Sequence, residues 1–185
     1  MRNWIVLVAG ALLSTTLSAA ELGGVRVDDK ASVAGQELVL NGAGVRKRVV
    51  FHVYVASLYL PQKAADLPGV LARGPRRIRL DLLRTLSAEQ FIEALNEGLE
   101  ANNSTSEMAA LKPGSEQLAS IMKAIGQAKE KDVVTLDFHD DATHVSLNGE
   151  EKGAIAGEPF NRALTRIWLG DRPVQADLKK ALLGG

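Results

Sequence analysis

The chain contains no cysteine, which excludes disulfides, thiolate metal sites and the lipid-bearing cysteine of a bacterial lipoprotein. Its stability must come from packing. Neither sign of charge is in excess, since 22 lysines and arginines stand against 22 aspartates and glutamates. A protein built mainly to hold nucleic acid or an anionic membrane surface needs a basic surplus, so neither class is supported. Local basic runs remain at Arg46-Lys47-Arg48 and at Arg73, Arg76, Arg77 and Arg79; runs of this kind are usually solvated faces.

The motifs that announce common chemistries are missing as well. There is no His-Glu-x-x-His, no cysteine pair and no calcium loop with a closing glutamate, so no metal and no cofactor are expected. The nearest approach to a metal cluster is His139 and His144 with Asp137, Asp140 and Asp141. Two histidines flanking a hairpin turn need not converge, and turn acids serve backbone hydrogen bonds. No Gly-x-Ser-x-Gly elbow supports a serine hydrolase. Gly42-Ala43-Gly44 lacks the following helix and the Gly-Lys-Ser/Thr ending of a phosphate loop.

The N-terminus carries an apolar run of the targeting kind. A charged start at Arg2, an apolar stretch from Ile5 to Leu13 and small residues at Ser18 and Ala20 read as a secretory signal peptide over 1–20, cut before Glu21. The stretch is shorter than the roughly 20 residues of a spanning helix, so no transmembrane anchor is expected after cleavage. The mature protein is expected to be secreted, in the periplasm. Residues 21–185 have the length of one domain with a sizeable core.

What the chain does have is the run from Leu38 to Pro61. Val49 to Leu60 is the densest block of β-branched, aromatic and aliphatic residues in 21–185 and reads as a long strand. Alternate positions are apolar on both faces, which predicts a central strand covered above and below. Ahead of it, glycines at 42 and 44 are expected to let the backbone bend, and Arg46-Lys47-Arg48 brings cationic charge beside an apolar element.

Around this run the order of elements is legible. Val25-Arg26-Val27 and Glu37 to Leu40 read as edge strands separated by a polar turn. Gln62 to Gly74 is a connector, and Arg76 to Leu82 is a half-exposed strand whose arginines are expected in solvent. Ser87-Ala88-Glu89-Gln90 is a capping box opening a helix with Phe91, Ile92, Leu95 and Leu99 on one face. A polar break at Asn102 to Ser106 and another at Pro113-Gly114 precede a helix from about Ser115. Strands over Asp132 to Phe138 and Thr143 to Leu147, a tight turn at Asn148-Gly149, and a last short strand toward Ile155 come next. Glu158-Pro159 opens a helix burying Phe160, Leu164, Ile167 and Trp168 and ending at Gly170, and a short helix through Leu178 closes the chain. Without βαβ alternation or repeats, this order predicts an α+β domain, a large antiparallel sheet with helices packed on one face.

Arg46, Arg48, His52, Tyr54 and Tyr59 are the polar groups in or beside the apolar run. In one reading the arginines cap a hairpin in solvent and the tyrosine rings sink into the core. In the other, an arginine and a tyrosine hydroxyl hold the anionic head of an apolar ligand. On one unbroken strand Arg46 and Tyr54 would stand about 26 Å apart, at roughly 3.3 Å per residue, so the second reading requires a turn between them.

The segment Gly42-Ala43-Gly44-Val45-Arg46, with Phe51 to Leu60, resembles the chalcone isomerase-like family in its bacterial secreted branch. Ile167-Trp168-Leu169-Gly170-Asp171-Arg172-Pro173-Val174, with Leu178-Lys179, resembles that family's closing helix pair. The resemblance implies an open-faced β-sandwich with a ligand cleft between sheet and helices. Plant enzymes of the family close a chalcone to a flavanone; related plastid members bind fatty acids. Carried over, the anion-binding arginine falls at Arg46, with Arg48 as second candidate, and the active-site threonine falls at Tyr54. The catalytic tyrosine falls at Phe91, an asparagine near Gly98, and a threonine or serine at Ile167. Three polar positions are therefore apolar or lack a side chain. This implies a non-enzymatic protein with no catalytic residues, binding a small hydrophobic ligand such as a fatty acid, through Arg46, Tyr54, Arg48, Phe91 and Ile167. The alternative is an intramolecular lyase or isomerase acting on a small phenolic substrate.

Overall fold

The computed structural model describes residues 20–72 and 74–185; apart from Ala20, the expected signal peptide lies outside the described residues. A small hairpin of β1 (Ala20–Leu22) and β2 (Val25–Val27) comes first. It is followed by β3 (Lys30–Val33), β4 (Gln36–Arg48), β5 (Phe51–Leu60), the single turn α1 (Leu67–Val70) and β6 (Arg76–Leu82). Next come β7 (Leu86–Ser87), α2 (Ala88–Asn102), α3 (Thr105–Ile125) and β8 (Gln127–Ala128), an excursion closed by pairing of β7 with β8. The chain finishes with β9 (Val133–His139), β10 (Ala142–Leu147), β11 (Glu150–Ala156), α4 (Glu158–Leu169) and α5 (Ala176–Leu182). Seven strands form one antiparallel sheet in the order β11-β10-β9-β6-β5-β4-β3. The helices pack on one of its faces, giving the expected α+β architecture. No helix of the described residues is long and apolar enough to cross a membrane.

The helix starts follow local chemistry. Ser87 Oγ accepts from the Gln90 N–H, and the Gln90 side chain accepts from the Ser87 N–H, so the capping box forms as read. Ser104 and Glu107 repeat the device, launching α3 within the stretch read only as a polar break. The break expected at Pro113-Gly114 does not occur, because α3 runs straight through it. Interior proline costs about 3 kcal/mol, but α3 buries Leu111, Leu118, Ile121 and Met122. Gly114 in addition seats the helix on Phe160, whose ring lies 2.6 Å from where a Cβ would be.

Three other expectations need correction. The long strand begins at Phe51, not Val49, because Val49 and Val50 form a two-residue turn and Gly42 to Arg48 belongs to its partner β4. The central, doubly covered position holds for Val55 to Leu60, each at most 2% exposed. The sheet edges are β3 and β11, so Glu37 to Leu40, within β4, lies one strand in from the edge, and Val25 to Val27 pairs with β1 outside the main sheet. The β1–β2 turn lies over Val45, Val55 and Leu83 on the helix-free face, where Tyr59 packs with Val33 and Leu38 and donates to the Asp28 carbonyl at 2.9 Å.

The arginines of β6 do not simply face water. On the helix-free face Arg77 makes a two-pronged pair with Asp137, both contacts 2.6 Å, and Arg79 does the same with Asp81 at 2.8 and 2.7 Å. Arg76 points the other way and is 8% exposed. It lies 4.4 Å over the Phe138 ring and donates from Nε to Thr165 at 3.2 Å, while its Nη2 has no partner. Burial lowers its pKa to about 10, so it is a buried cation at neutral pH. Buried charges with incomplete partners are often replaced by apolar groups at a gain. Arg76→Met is therefore expected to raise stability by about 1 kcal/mol, read as an increased urea midpoint at unchanged slope; a lowered midpoint would mean that Arg76 stabilises the sheet.

Candidate functional site: an apolar cavity with one cationic end

The β4–β5 turn removes the separation that an unbroken strand would impose. By folding back at Val49-Val50, the chain places Arg46 directly opposite Tyr54 in the strand register, and opposed residues project to the same face. That face carries the helices. Between them and the sheet lies a cavity of about 500 Å³. Its floor includes Leu80, Val134 and Leu136 from the sheet; its roof includes Phe91 and Leu95 from α2 and Leu164 and Ile167 from α4. All five candidate ligand residues, Arg46, Tyr54, Arg48, Phe91 and Ile167, line this one space. The two arginines differ in setting: Arg46 is half-buried and close to Tyr54, whereas Arg48 is exposed at the rim.

Polar groups gather at one end. The Trp168 indole donates to the Tyr54 hydroxyl at 3.1 Å. Burial raises the Tyr54 pKa, and the Trp168 hydrogen bond and the Arg46 charge offset only part of that, so the phenol stays protonated. Indole and guanidinium are donors only. With Trp168 and Arg46 as its polar neighbours, the Tyr54 O–H is directed to an acceptor from neither. Arg46 is held in turn by Gln175, whose Oε1 accepts from its Nη1 at 3.4 Å and from the Lys47 N–H at 2.8 Å. A register shift between Arg46 and Lys47 lets both reach it. Gln175 immediately precedes α5, and nothing in its local sequence signals this contact.

The reversal that brings Arg46 to Tyr54 falls at Val49-Val50, and the Gly-Ala-Gly stretch continues as strand within β4. A Cβ on Gly42 would lie 2.1 Å from the Ala181 carbonyl oxygen, and one on Gly44 2.9 Å from Ala181 Cβ and Leu178 Cδ1. The glycines are the seat of α5. Asn41, buried where the β4–β5 register shifts, completes the seat by donating to the Leu182 and Ala64 carbonyls at 2.7 and 2.9 Å. On the other side of the mouth, Asn102 exchanges hydrogen bonds with the Arg172 backbone at 2.8 and 3.0 Å, fixing the Arg172 to Val174 wall.

The positions that lack polar side chains are physically coupled. A Cβ on Gly98 would come within 2.7 Å of Ile167 Cγ2, so the missing side chain of α2 is replaced by the isoleucine of α4. Gly→Ala in a helix ordinarily stabilises by about 1 kcal/mol. Here Gly98→Ala is expected to destabilise by about 1–2 kcal/mol through overpacking. Combined with Ile167→Ala, it should be less damaging than the two single losses together by about 1 kcal/mol. Urea unfolding of the four members of the cycle measures this, and strict additivity would contradict it.

His139 and His144 do converge, contrary to the reading of their separation. They are diagonal neighbours across the β9–β10 ladder and their rings stack 4.0 Å apart, with Asp140 and Glu151 at 2.9 and 3.2 Å from them. Among the described residues no group of three or more such side chains is placed to hold a metal ion.

Comparison with known proteins places this geometry. A family profile described as chalcone isomerase-like matches residues 19–184. A search of curated proteins found no match. Among solved structures, a fatty-acid binding protein of Arabidopsis thaliana is similar with a TM-score of 0.67 at 13% identity, over 86% of this chain and 92% of that one. At that identity the likeness concerns the fold.

Proposed function

We propose that this chain, which belongs to the chalcone isomerase-like family, is a secreted, periplasmic, non-enzymatic carrier of a hydrophobic carboxylate such as a fatty acid. The observation that carries the proposal is the polarity of the cavity: about 500 Å³ of largely apolar lining with Arg46, Tyr54 and Trp168 gathered at one end. That volume falls within the roughly 300–1,000 Å³ of small-molecule sites. An apolar tail gains about 25 cal/mol per Å² on entering, and a carboxylate beside Arg46 accepts from both the guanidinium and the Tyr54 hydroxyl.

The plant enzyme's polar groups would fall at Phe91, Gly98 and Ile167, none of which can donate or accept a proton through its side chain. This favours holding over turnover. The Arabidopsis protein of similar fold is named for fatty-acid binding, which lends the carrier reading its support from relatives. Titration of delipidated protein with medium- and long-chain fatty acids tests it, with saturable 1:1 binding expected. Absence of binding together with turnover of a chalcone-like substrate, lost in Arg46→Ala, would instead favour an isomerase.

A further inference from the structure

The turn between β4 and β5 is built against the ordinary rules. Two-residue hairpin loops favour Asn-Gly or Gly-containing pairs, because they require backbone that β-branched residues resist. Here the loop is Val49-Val50, with Val49 held at φ 57°, a strained conformation for a β-branched side chain. Burial does not compensate for it. Val49 is 91%, Val50 79% and the adjoining Phe51 57% exposed, and these are the exposed large hydrophobic residues of the described chain.

The apolar tip has a cationic collar. Arg46, Lys47 and Arg48 flank it on β4, Arg84 lies 4.7 Å over the Phe51 ring, and Arg172 stands across the cavity mouth. None of the five has an ion-pair partner among the described residues. The chain as a whole carries no net charge, so this end, where the five cations outnumber the one acid lining the cavity, Glu97, is basic by local arrangement.

From this juxtaposition we propose that the β4–β5 tip docks the protein peripherally on an anionic phospholipid surface. Val49, Val50 and Phe51 enter the boundary between headgroups and acyl chains while the collar meets the phosphates. An apolar projection ringed by cations matches such a surface in both depth and sign. A second copy of the chain fits less well, since a two-fold interface sets the same patch against itself and would bring two collars together. Val49 and Phe51 also line the cavity, so docking sets its mouth at the membrane. Delivery of a lipid-derived cargo by that route rests on the carrier reading; the docking itself does not.

The test is sedimentation of the protein, expressed with its own N-terminal segment and recovered as processed in the cell, with vesicles of phosphatidylcholine with or without phosphatidylglycerol. Wild type is expected to pellet with the anionic vesicles, less as salt rises, and much less with neutral ones. Val49→Gly with Val50→Ser puts glycine at the positive-φ position and a polar residue after it, so it should fold at least as stably as wild type while losing at least about tenfold in partitioning. Lys47→Glu should cost about fivefold or more, because each basic side chain near an anionic surface contributes about that factor. The proposal is overturned if wild type ignores anionic vesicles, if the double variant partitions equally, or if the tip instead mediates a dimer that the double variant dissociates. Because these vesicles need no cargo, failure here leaves fatty-acid binding to be judged by its own titration.

Discussion

Arg46→Ala is expected to weaken binding of a long-chain carboxylate by about 10- to 100-fold, and Arg48→Ala by less than about threefold, from the strength of charge-assisted and of exposed ion pairs respectively. The sequence puts Arg46 first and leaves Arg48 as a second candidate; register and solvation separate them. Arg46 is opposite Tyr54, half-buried, and positioned by Gln175. Arg48 pairs with Phe51 beside the turn and is exposed, where water screens whatever charge it meets. Tyr54→Phe should cost about five- to tenfold, the loss of one donor to a charged acceptor. Calorimetric titration of delipidated protein measures all three variants. Equal losses at Arg46 and Arg48 would move the head group out to the rim and remove the assigned role of Tyr54.

Gly42→Ala should be the most damaging single methyl, destabilising by about 3 kcal/mol or more at the upper end of overpacking costs. A Cβ there meets the Ala181 carbonyl at 2.1 Å and the Leu182 carbonyl at 2.8 Å, and main chain cannot rotate out of the way as a side-chain end can. The helix as a whole must shift. Since α5 begins just after Gln175, which holds Arg46, its displacement should also weaken carboxylate binding when measured under conditions where the variant remains folded. Gly44→Ala meets side-chain atoms at 2.9 Å and should cost about half as much. Guanidinium or urea unfolding ranks the two, and a near-neutral Gly42→Ala would mean that α5 is not seated on β4 as described.

Elements written in local chemistry were legible: the Ser87 capping box, the Asn148-Gly149 turn and the amphipathic stripe of α4 all stand where periodicity and turn residues put them. Two errors share a cause. Val49-Val50 looks like strand and is a turn, and Pro113-Gly114 looks like a break and is helix, because in each case a longer-range requirement overrides a local preference of a few kcal/mol at most. The turn brings β4 back onto β5 over nine paired positions. Helix α3 buries four large side chains through its proline.

The same division runs through the cavity. Composition and spacing were enough to establish an α+β chain with a central apolar strand and a neighbouring cationic run, and the family resemblance added that its polar active-site positions fall at Phe91, Gly98 and Ile167. These are properties of residue type and of neighbours within a turn or two, where sequence distance and spatial distance agree. Only the tertiary structure could set Arg46 opposite Tyr54, bring Trp168 from 114 residues away to donate to that hydroxyl, and place Gln175 on Arg46 from 129 residues away. It also turned two glycines that read as hinges into the seat of α5. Packing decides such contacts, since a Cβ is tolerated or forbidden by whatever long-range neighbour occupies that space.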